Sequence, residues 1–297
     1  MRNQRFGRFD EHLASFYSIA YGEPYIYKDT YLAYYDKYSK ILYLSLFELQ
    51  ESENKLLCIQ IASKLFKPEK LVVTSPQELP ERIGQFHREN VDYDRDYQIY
   101  IPDFDETLQG GKLKQLRYRV HNAERRGYRL DVGKKMTPAH FHLIACHEQS
   151  KRLDLYDSQL YFGIWEYLRK FDSPVLFNVF SNGTLLGFDL VDFFQDTITI
   201  PLGFYSNAAS LSDFILYKEI LYAKQNGYTW LDLGWACDEG VEEFKKKWTA
   251  VPRFQIWTYE YSLCEEAEDQ PLEKPLVVSR SRHAKMRRGT RLNSNLK

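Results

Sequence analysis

The chain has 297 residues, 44% hydrophobic and 27% charged, a globular balance that excludes a wholly disordered or collagen-like protein and fits two domains at roughly 100–200 residues each. No run reaches the roughly 18 consecutive apolar residues of a membrane span, and the polar stretch Met1–Asp10 lacks the apolar centre of a signal peptide, so a cytoplasmic protein is expected. The net charge of −1 conceals a segregation: residues 271–297 carry eight basic side chains against Glu273 alone, leaving a body of net −8.

Along the chain, Tyr25–Tyr35 and Lys40–Leu46 read as tyrosine-rich strands around the turn Asp36-Lys37-Tyr38-Ser39. A helix is expected over 52–66, a strand at Lys70–Thr74, a helix near Glu78–His87 and a strand at Tyr97–Ile101. Gln109–Arg126 is a helix whose apolar positions Leu113, Leu116, Val120 and Ala123 make one buried stripe. Gly127 ends it, Tyr128–Val132 is a strand, and Thr137-Pro138 opens another helix.

The second half parses more sharply. Val175–Phe180 and Leu185–Phe194 are strands around Asn182-Gly183, the strongest short hairpin signal. Gln195-Asp196 turns into a third strand, Thr197–Tyr205. Ser210-Leu211-Ser212-Asp213 has the form of a helix N-cap with an acid three residues on, and that helix stops at Gly227. Tyr228–Leu233 is a strand, Val241–Trp248 a helix and Arg253–Ser262 a last strand of alternating aromatics. A helix joining two neighbouring strands makes that pair parallel, so a mixed α/β (α+β) sheet follows, with a cleft expected where Thr197–Tyr205 and Tyr228–Leu233 diverge. The first half repeats the order weakly, which implies two copies of one unit: residues 1–104 and 105–264. Residues 265–297, an acidic run (Glu265, Glu266, Glu268, Asp269) followed by the basic stretch, read as a mostly disordered appendage, either a solvated tail or a polyanion-binding arm for RNA or an acidic membrane surface.

Two segments carry a family likeness. Leu116–Tyr128 (LRYRVHNAERRGY) resembles the helix-then-strand opening of Fem-type transferases and of the phosphatidylglycerol lysyltransferase C-terminal domain. Leu231-Asp232-Leu233-Gly234 followed by Val241–Trp248 (VEEFKKKW) is similar to the ending of the same group. The resemblance implies tandem GNAT-like units and transfer of an acyl or aminoacyl group, from acyl-CoA or aminoacyl-tRNA, to a small-molecule or peptide amine. A catalytically inactive GNAT-like module that only recognises a ligand or partner is the alternative. The usual acetyl-CoA phosphate loop is absent, its place taken by Tyr205–Ser210, and Trp235 stands where the family has a second glycine.

Such transfer needs a base for the amine proton, a donor to the oxyanion and an acid for the leaving group. The resemblance places Lys245 beside the transferred carbonyl; a solvated helix face for Lys245-Lys246-Lys247 is the competing reading. Asp189, mid-strand among apolar residues, is a candidate base or a structural hydrogen-bonding group. Asp192, three residues on, faces the other side unless a bulge intervenes. Tyr205 is placed as a leaving-group acid or substrate contact. Phe204, Ser206, Asn207, Asp232 and Phe244 are candidate substrate contacts, Asp232 alternatively capping its loop. Arg117 and Arg125 lie in a segment, 112–129, of net charge +6 that suits a phosphate-bearing substrate such as a tRNA end. His140, His142, Cys146 and His147 share one expected helix, but they lack an acidic partner and no metal is expected. The four cysteines form no CxxC pair and read as thiols in a reducing compartment.

Overall fold

The computed structural model describes residues 8–9, 12–22, 24–27, 31–46, 55–111, 113–151, 155–236 and 238–264. The expected appendage 265–297 and Cys237 lie outside the described residues.

The first half comprises β1 (Arg8–Phe9), β2 (His12–Leu13), α1 (Ala14–Tyr21), β3 (Tyr25–Tyr27), β4 (Tyr31–Asp36), β5 (Ile41–Ser45), α2 (Lys55–Phe66), β6 (Lys70–Ser75), β7 (Arg82–Ile83) and β8 (Phe86–Tyr100). The second half comprises α3 (Lys114–Arg125), β9 (Arg129–Gly133), α4 (Pro138–Lys151), α5 (Leu155–Phe162), α6 (Ile164–Lys170), β10 (Val175–Ser181), β11 (Thr184–Phe194), β12 (Thr197–Tyr205), α7 (Leu211–Gln225), β13 (Trp230–Trp235), α8 (Glu239–Lys247) and β14 (Val251–Leu263). Among the described residues one mixed sheet runs β3-β4-β5-β6-β14-β8-β13-β12-β11-β10-β9, with β7 paired to β8.

One unit recurs within this sheet. Two antiparallel strands, a crossover helix and a parallel strand appear as β4-β5-α2-β6 and again as β11-β12-α7-β13. The halves exchange strands at the middle. β14, from the end of the described chain, pairs with β6 on one side and β8 on the other, while the far end of β8 pairs with β13. The exchange leaves neither half with a free central edge, a liability in any open sheet.

Side-chain alternation sorts the second half into two layers. Phe177, Val179, Val191, Ile198 and Leu231 pack on the face covered by α3 and α7. Leu176, Phe188, Leu190 and Phe204 pack on the opposite face, beneath α1, α4, α5 and α6. The first half buries Leu42, Leu44, Leu71 and Val73 against Ile59 and Ala62 of α2.

Three expectations are corrected. The helix near Glu78–His87 is instead the tight hairpin of β7 into β8, with register Arg82↔His87 and Ile83↔Phe86. Gly84 at φ +59° makes that turn, a conformation open to glycine at no steric cost. The charged run misled because most of the side chains from His87 to Tyr93 face solvent, leaving no apolar alternation. Tyr25–Tyr35 is a pair of strands, β3 and β4, rather than one. Ser210 caps α7 without a side-chain hydrogen bond, because its left-handed φ of +67° takes the hydroxyl away from the first turn.

Candidate functional site

The parallel pair β12 and β13 is laddered over only three positions, Thr197↔Trp230, Ile198↔Leu231 and Thr199↔Asp232. Beyond them β12 stays with β11 as far as Tyr205↔Gly187, while β13 stays with β8 on its other edge, from Trp230↔Tyr100 to Trp235↔Asp96. The strands therefore diverge toward their C-terminal ends, as their order leads one to expect. The corresponding pair in the first half, β5 and β6, is laddered without interruption from Ile41↔Lys70 to Ser45↔Thr74.

At the diverging end of β12 a buried polar group is built on the α7 face of the sheet. Asp189 of β11 is buried and accepts a hydrogen bond from the Tyr205 hydroxyl. Gly187 and Gly203 make room for that side chain. A Cβ at Gly203 would lie 2.3 Å from Asp189 Oδ1 and 2.4 Å from the Tyr205 hydroxyl oxygen, and one at Gly187 would lie 2.9 Å from the Tyr205 ring. Glu219 of α7, also buried, faces the same carboxyl. Tyr205 itself is 42% exposed, so its ring edge meets solvent while its hydroxyl points inward.

Burial governs the acidity of all three. It pushes Asp189 up to about 7, against the opposing hydrogen bonds from Tyr205 and Glu219. Glu219 is raised well above the ordinary carboxylate range by burial, then by the charge of Asp189 and the hydrogen bond with it. Tyr205 is raised by burial and by the two acids. Glu219 carried no functional expectation from the sequence. The stripe Leu216, Glu219, Ile220, Ala223, all buried, is the helical spacing that would have placed it on the inner face.

At the end of β13 stands Lys245. It is 6% exposed, and its Nζ donates to the carbonyl of Trp235, the last residue of β13. Lys246 instead pairs with Glu242 at 3.0 Å on the outside, so the lysine run is not one solvated face. Asp238 caps α8 by accepting from Val241 N–H at 2.9 Å. Lys247 reaches Asp213 at 2.6 Å, its ammonium 4.6 Å from the Phe244 ring centroid.

The other expected site residues are dispersed. Asp232 is buried and accepts from the Gly234 N–H at 2.9 Å, closing the turn at the end of β13. Ser206 keeps β12 on β11 through its N–H to Leu186 at 2.8 Å, and its Oγ is buried without a partner. Asn207 is exposed. Phe204 lies in the core of the opposite face, stacked on Phe188 at 5.1 Å, away from the Tyr205 side of the strand. Arg117 donates to the Leu108 carbonyl, and Arg125 is exposed at the end of α3. Asp213 accepts from Trp248 Nε1 and Arg119 as well as Lys247, tying α3, α7 and α8 together. It is a structural hub rather than the capping acid its spacing implied. A bulge precedes Asp192. Its carboxylate accepts from the Tyr167 hydroxyl and its own neighbour's N–H, both away from Asp189. His140 is held between Thr137 and Asn178, and His147 packs against Tyr161 and Phe204.

A cavity of about 620 Å³ lies elsewhere, in the first half, lined by Gln60, Ser63, Lys64, Ile83, Phe86 and Leu263 among others. No carboxylate, histidine or cysteine lines it among the described residues. No helix among the described residues is long and apolar enough to cross a membrane.

Residues 77–261 match the family described as phosphatidylglycerol lysyltransferase, C-terminal. Both the Asp189–Tyr205–Glu219 group and the lysine-bearing helix fall inside that span. No curated protein matches the chain by sequence. Many solved structures share the fold, and three of them are these. L-PGS from Bacillus licheniformis aligns over 80% of this chain and 84% of its own, at 16% identity and a TM-score of 0.54. A tandem GNAT protein from the clavulanic acid biosynthesis pathway aligns over 80% and 79%, at 9% identity and 0.53. FemX aligns over 78% and 84%, at 13% identity and 0.51.

Proposed function

Because the chain belongs to the phosphatidylglycerol lysyltransferase C-terminal family, we propose that it transfers an acyl or aminoacyl group from a carrier, aminoacyl-tRNA or acyl-CoA, to an amine acceptor. The observation that carries this reading is the opening between β12 and β13 with Tyr205 at one lip and Lys245 at the other. Diverging parallel strands present backbone N–H and C=O groups to an amide-bearing donor. Asp189, buried and displaced to about 7, is suited to take up a proton near neutral pH. Tyr205 links it to solvent and returns a proton to the departing carrier oxygen or sulfur. Lys245 is the cation placed to oppose charge growing on the carbonyl oxygen. An aminoacyl ester is the preferred donor, since Tyr205–Ser210 replaces the phosphate loop that acyl-CoA enzymes use. The exposed arginines of α3 suit its phosphates.

The test is transfer itself. The protein is incubated with charged tRNA or acetyl-CoA and a panel of small amines and peptides, with phosphatidylglycerol vesicles as the hydroxyl-bearing comparison, and products are read by mass spectrometry; an ester on the lipid and no amide would overturn the amine acceptor. Transfer that is lost in Asp189→Asn and Tyr205→Phe supports the reading. Tight binding of a donor with no product from any pairing would replace it with the binding-module alternative.

A further inference from the structure

Glu219 is the strongest feature that the transfer chemistry above leaves unused. It is 1% exposed, and its two buried carboxyl oxygens have no group to pair with other than the Asp189 carboxyl. A buried acid left so is costly. The group it faces is the carboxyl of Asp189, equally buried. Two ionised carboxylates offer each other acceptors only, and like charges in a dry site repel strongly. One proton resolves both problems, because a protonated carboxyl becomes a donor to its neighbour.

Among the described residues no cation acts on the pair. The elements packed against α7 are α3, β10, β11, β12 and β13. On β13 Asp232 accepts from the Gly234 N–H at 2.9 Å, and on β11 Asp192 accepts from the Tyr167 hydroxyl. On α3, Arg119 is committed to Asp213 at 3.0 Å, and Glu124 to Lys218 at 3.1 Å. On α7, Lys224 donates to the Phe104 carbonyl at 2.9 Å. β10 (VLFNVFS) carries no titratable side chain. On β12 the facing group is Tyr205, donating to Asp189. The absent side chains of Gly187 and Gly203 leave room for the phenol against Asp189.

We propose that Glu219 is a positioning residue of the transfer site: it shares one proton with Asp189 beneath the Tyr205 phenol and so holds Asp189 as the terminus of a proton relay. This rests on the transferase reading above. In the step, the acceptor nitrogen bonds to the carbonyl carbon. The amine proton passes to the Tyr205 oxygen while the Tyr205 proton passes to Asp189. The carbon–oxygen or carbon–sulfur bond to the carrier then breaks, its electron pair leaving with the carrier. The relay runs backward to protonate that atom, giving an amide and the free carrier. Glu219 keeps its proton throughout, donating to Asp189 whenever Asp189 is ionised.

Two readouts test this. Infrared difference spectroscopy on the ligand-free full chain at pH 8 looks for the C=O stretch of a protonated carboxyl. It is expected in wild type and lost in Glu219→Gln. Its absence from wild type overturns the shared proton. The second readout is the pH profile of transfer from charged tRNA to the amine the panel identifies. Glu219→Gln, which retains a donor, is expected to keep the wild-type acid limb. Glu219→Leu removes it, moving the limb upward by about one pH unit, with a roughly tenfold lower kcat/KM on that limb. Limbs that coincide in all three proteins overturn the positioning role, and Glu219→Gln alone decides the infrared arm if the leucine variant fails to fold. A carboxyl band with no turnover from any donor sinks the transferase reading and the role with it. Turnover without the band sinks the shared proton alone.

Discussion

Replacing Asp189 with asparagine is expected to stabilise the protein, and to do so more as pH rises. In the folded state burial holds this carboxyl near 7 against an ordinary value of 3.8. A folded value above the unfolded one means that folding favours the protonated form. Its contribution is therefore fully present below about pH 4 and is lost as pH rises through about 7. The whole displacement corresponds to about 4 kcal/mol, of which roughly 2–3 kcal/mol falls between pH 5 and pH 8. Glu219 is raised in the same direction by burial first and then by the charge of Asp189, and the second of these adds to the effect with the same sign. Asparagine keeps the size of the side chain and the acceptor for Tyr205 but never ionises. The assay is urea unfolding of wild type and Asp189→Asn at pH 5 and pH 8. Wild type should lose roughly 2–3 kcal/mol relative to the variant over that interval, several degrees in melting temperature for a protein of this size. Parallel stabilities at both values would refute the burial argument, and with it the case for Asp189 as a base near neutrality.

The remaining predictions concern the groups around that carboxyl. Gly203→Ala puts a methyl 2.3 Å from Asp189 Oδ1; it should lower stability by about 1–3 kcal/mol in thermal unfolding and abolish transfer by displacing the Tyr205 hydroxyl. Asp213→Ala strips Trp248 Nε1, Arg119 and Lys247 of their shared acceptor. A loss of about 3 kcal/mol is expected in urea unfolding, at the lower end for a buried ionic group because both cations are partly exposed. Lys245→Met keeps the buried stem but removes the ammonium, and should cut kcat roughly a hundred- to a thousandfold at little change in melting temperature. Lys246→Ala, on the outside of the same helix, should leave kcat within about twofold of wild type, a surface change of the size usually tolerated. Equal rates for the two lysine variants would remove Lys245 from the chemistry.

The legible parts of this fold were those with a local physical signature. Asn182-Gly183, with φ of +49° and +79°, turns β10 into β11 as the dipeptide predicts, and Gly227 stops α7 as expected. Leu116, Val120 and Ala123 form the buried stripe of α3. What failed was tertiary. The strand at 86–100 is exposed or half-exposed from His87 to Arg95 and buried at consecutive positions only from Asp96 to Ile99, so no two-residue alternation announced it. Asp189 and Tyr205 were readable as a polar residue in an apolar strand and a phenol at its neighbour's end. Their hydrogen bond depends on Gly203, whose role is an empty volume that only a structure displays. Glu219 was obscured because α7 is apolar on nearly every side. In such a helix a lone acid gives no sign of which way it points, unless its spacing from Leu216 and Ala223 is weighed.

The two parallel steps of the sheet differ in a way that suits the second half alone to the proposed chemistry. In the first half β5 and β6 satisfy each other along their whole shared length, and Thr74 Oγ1 adds a further bond to the Leu44 carbonyl at 3.2 Å. Opening that pair would strand backbone donors and acceptors in a core. In the second half the strands separate after Thr199↔Asp232, each still held along its outer edge. β12 is held by β11 and by the Ser206 N–H. β13 is paired with β8 along its other edge from Trp230↔Tyr100 and bends at Gly234, where φ is +70° and the N–H is taken by Asp232. β14 lies on the far edge of β8, from Phe86 to Gln98. The polar group at Asp189 is sited at the mouth of the only one of the two parallel pairs that the described ladder leaves unzipped.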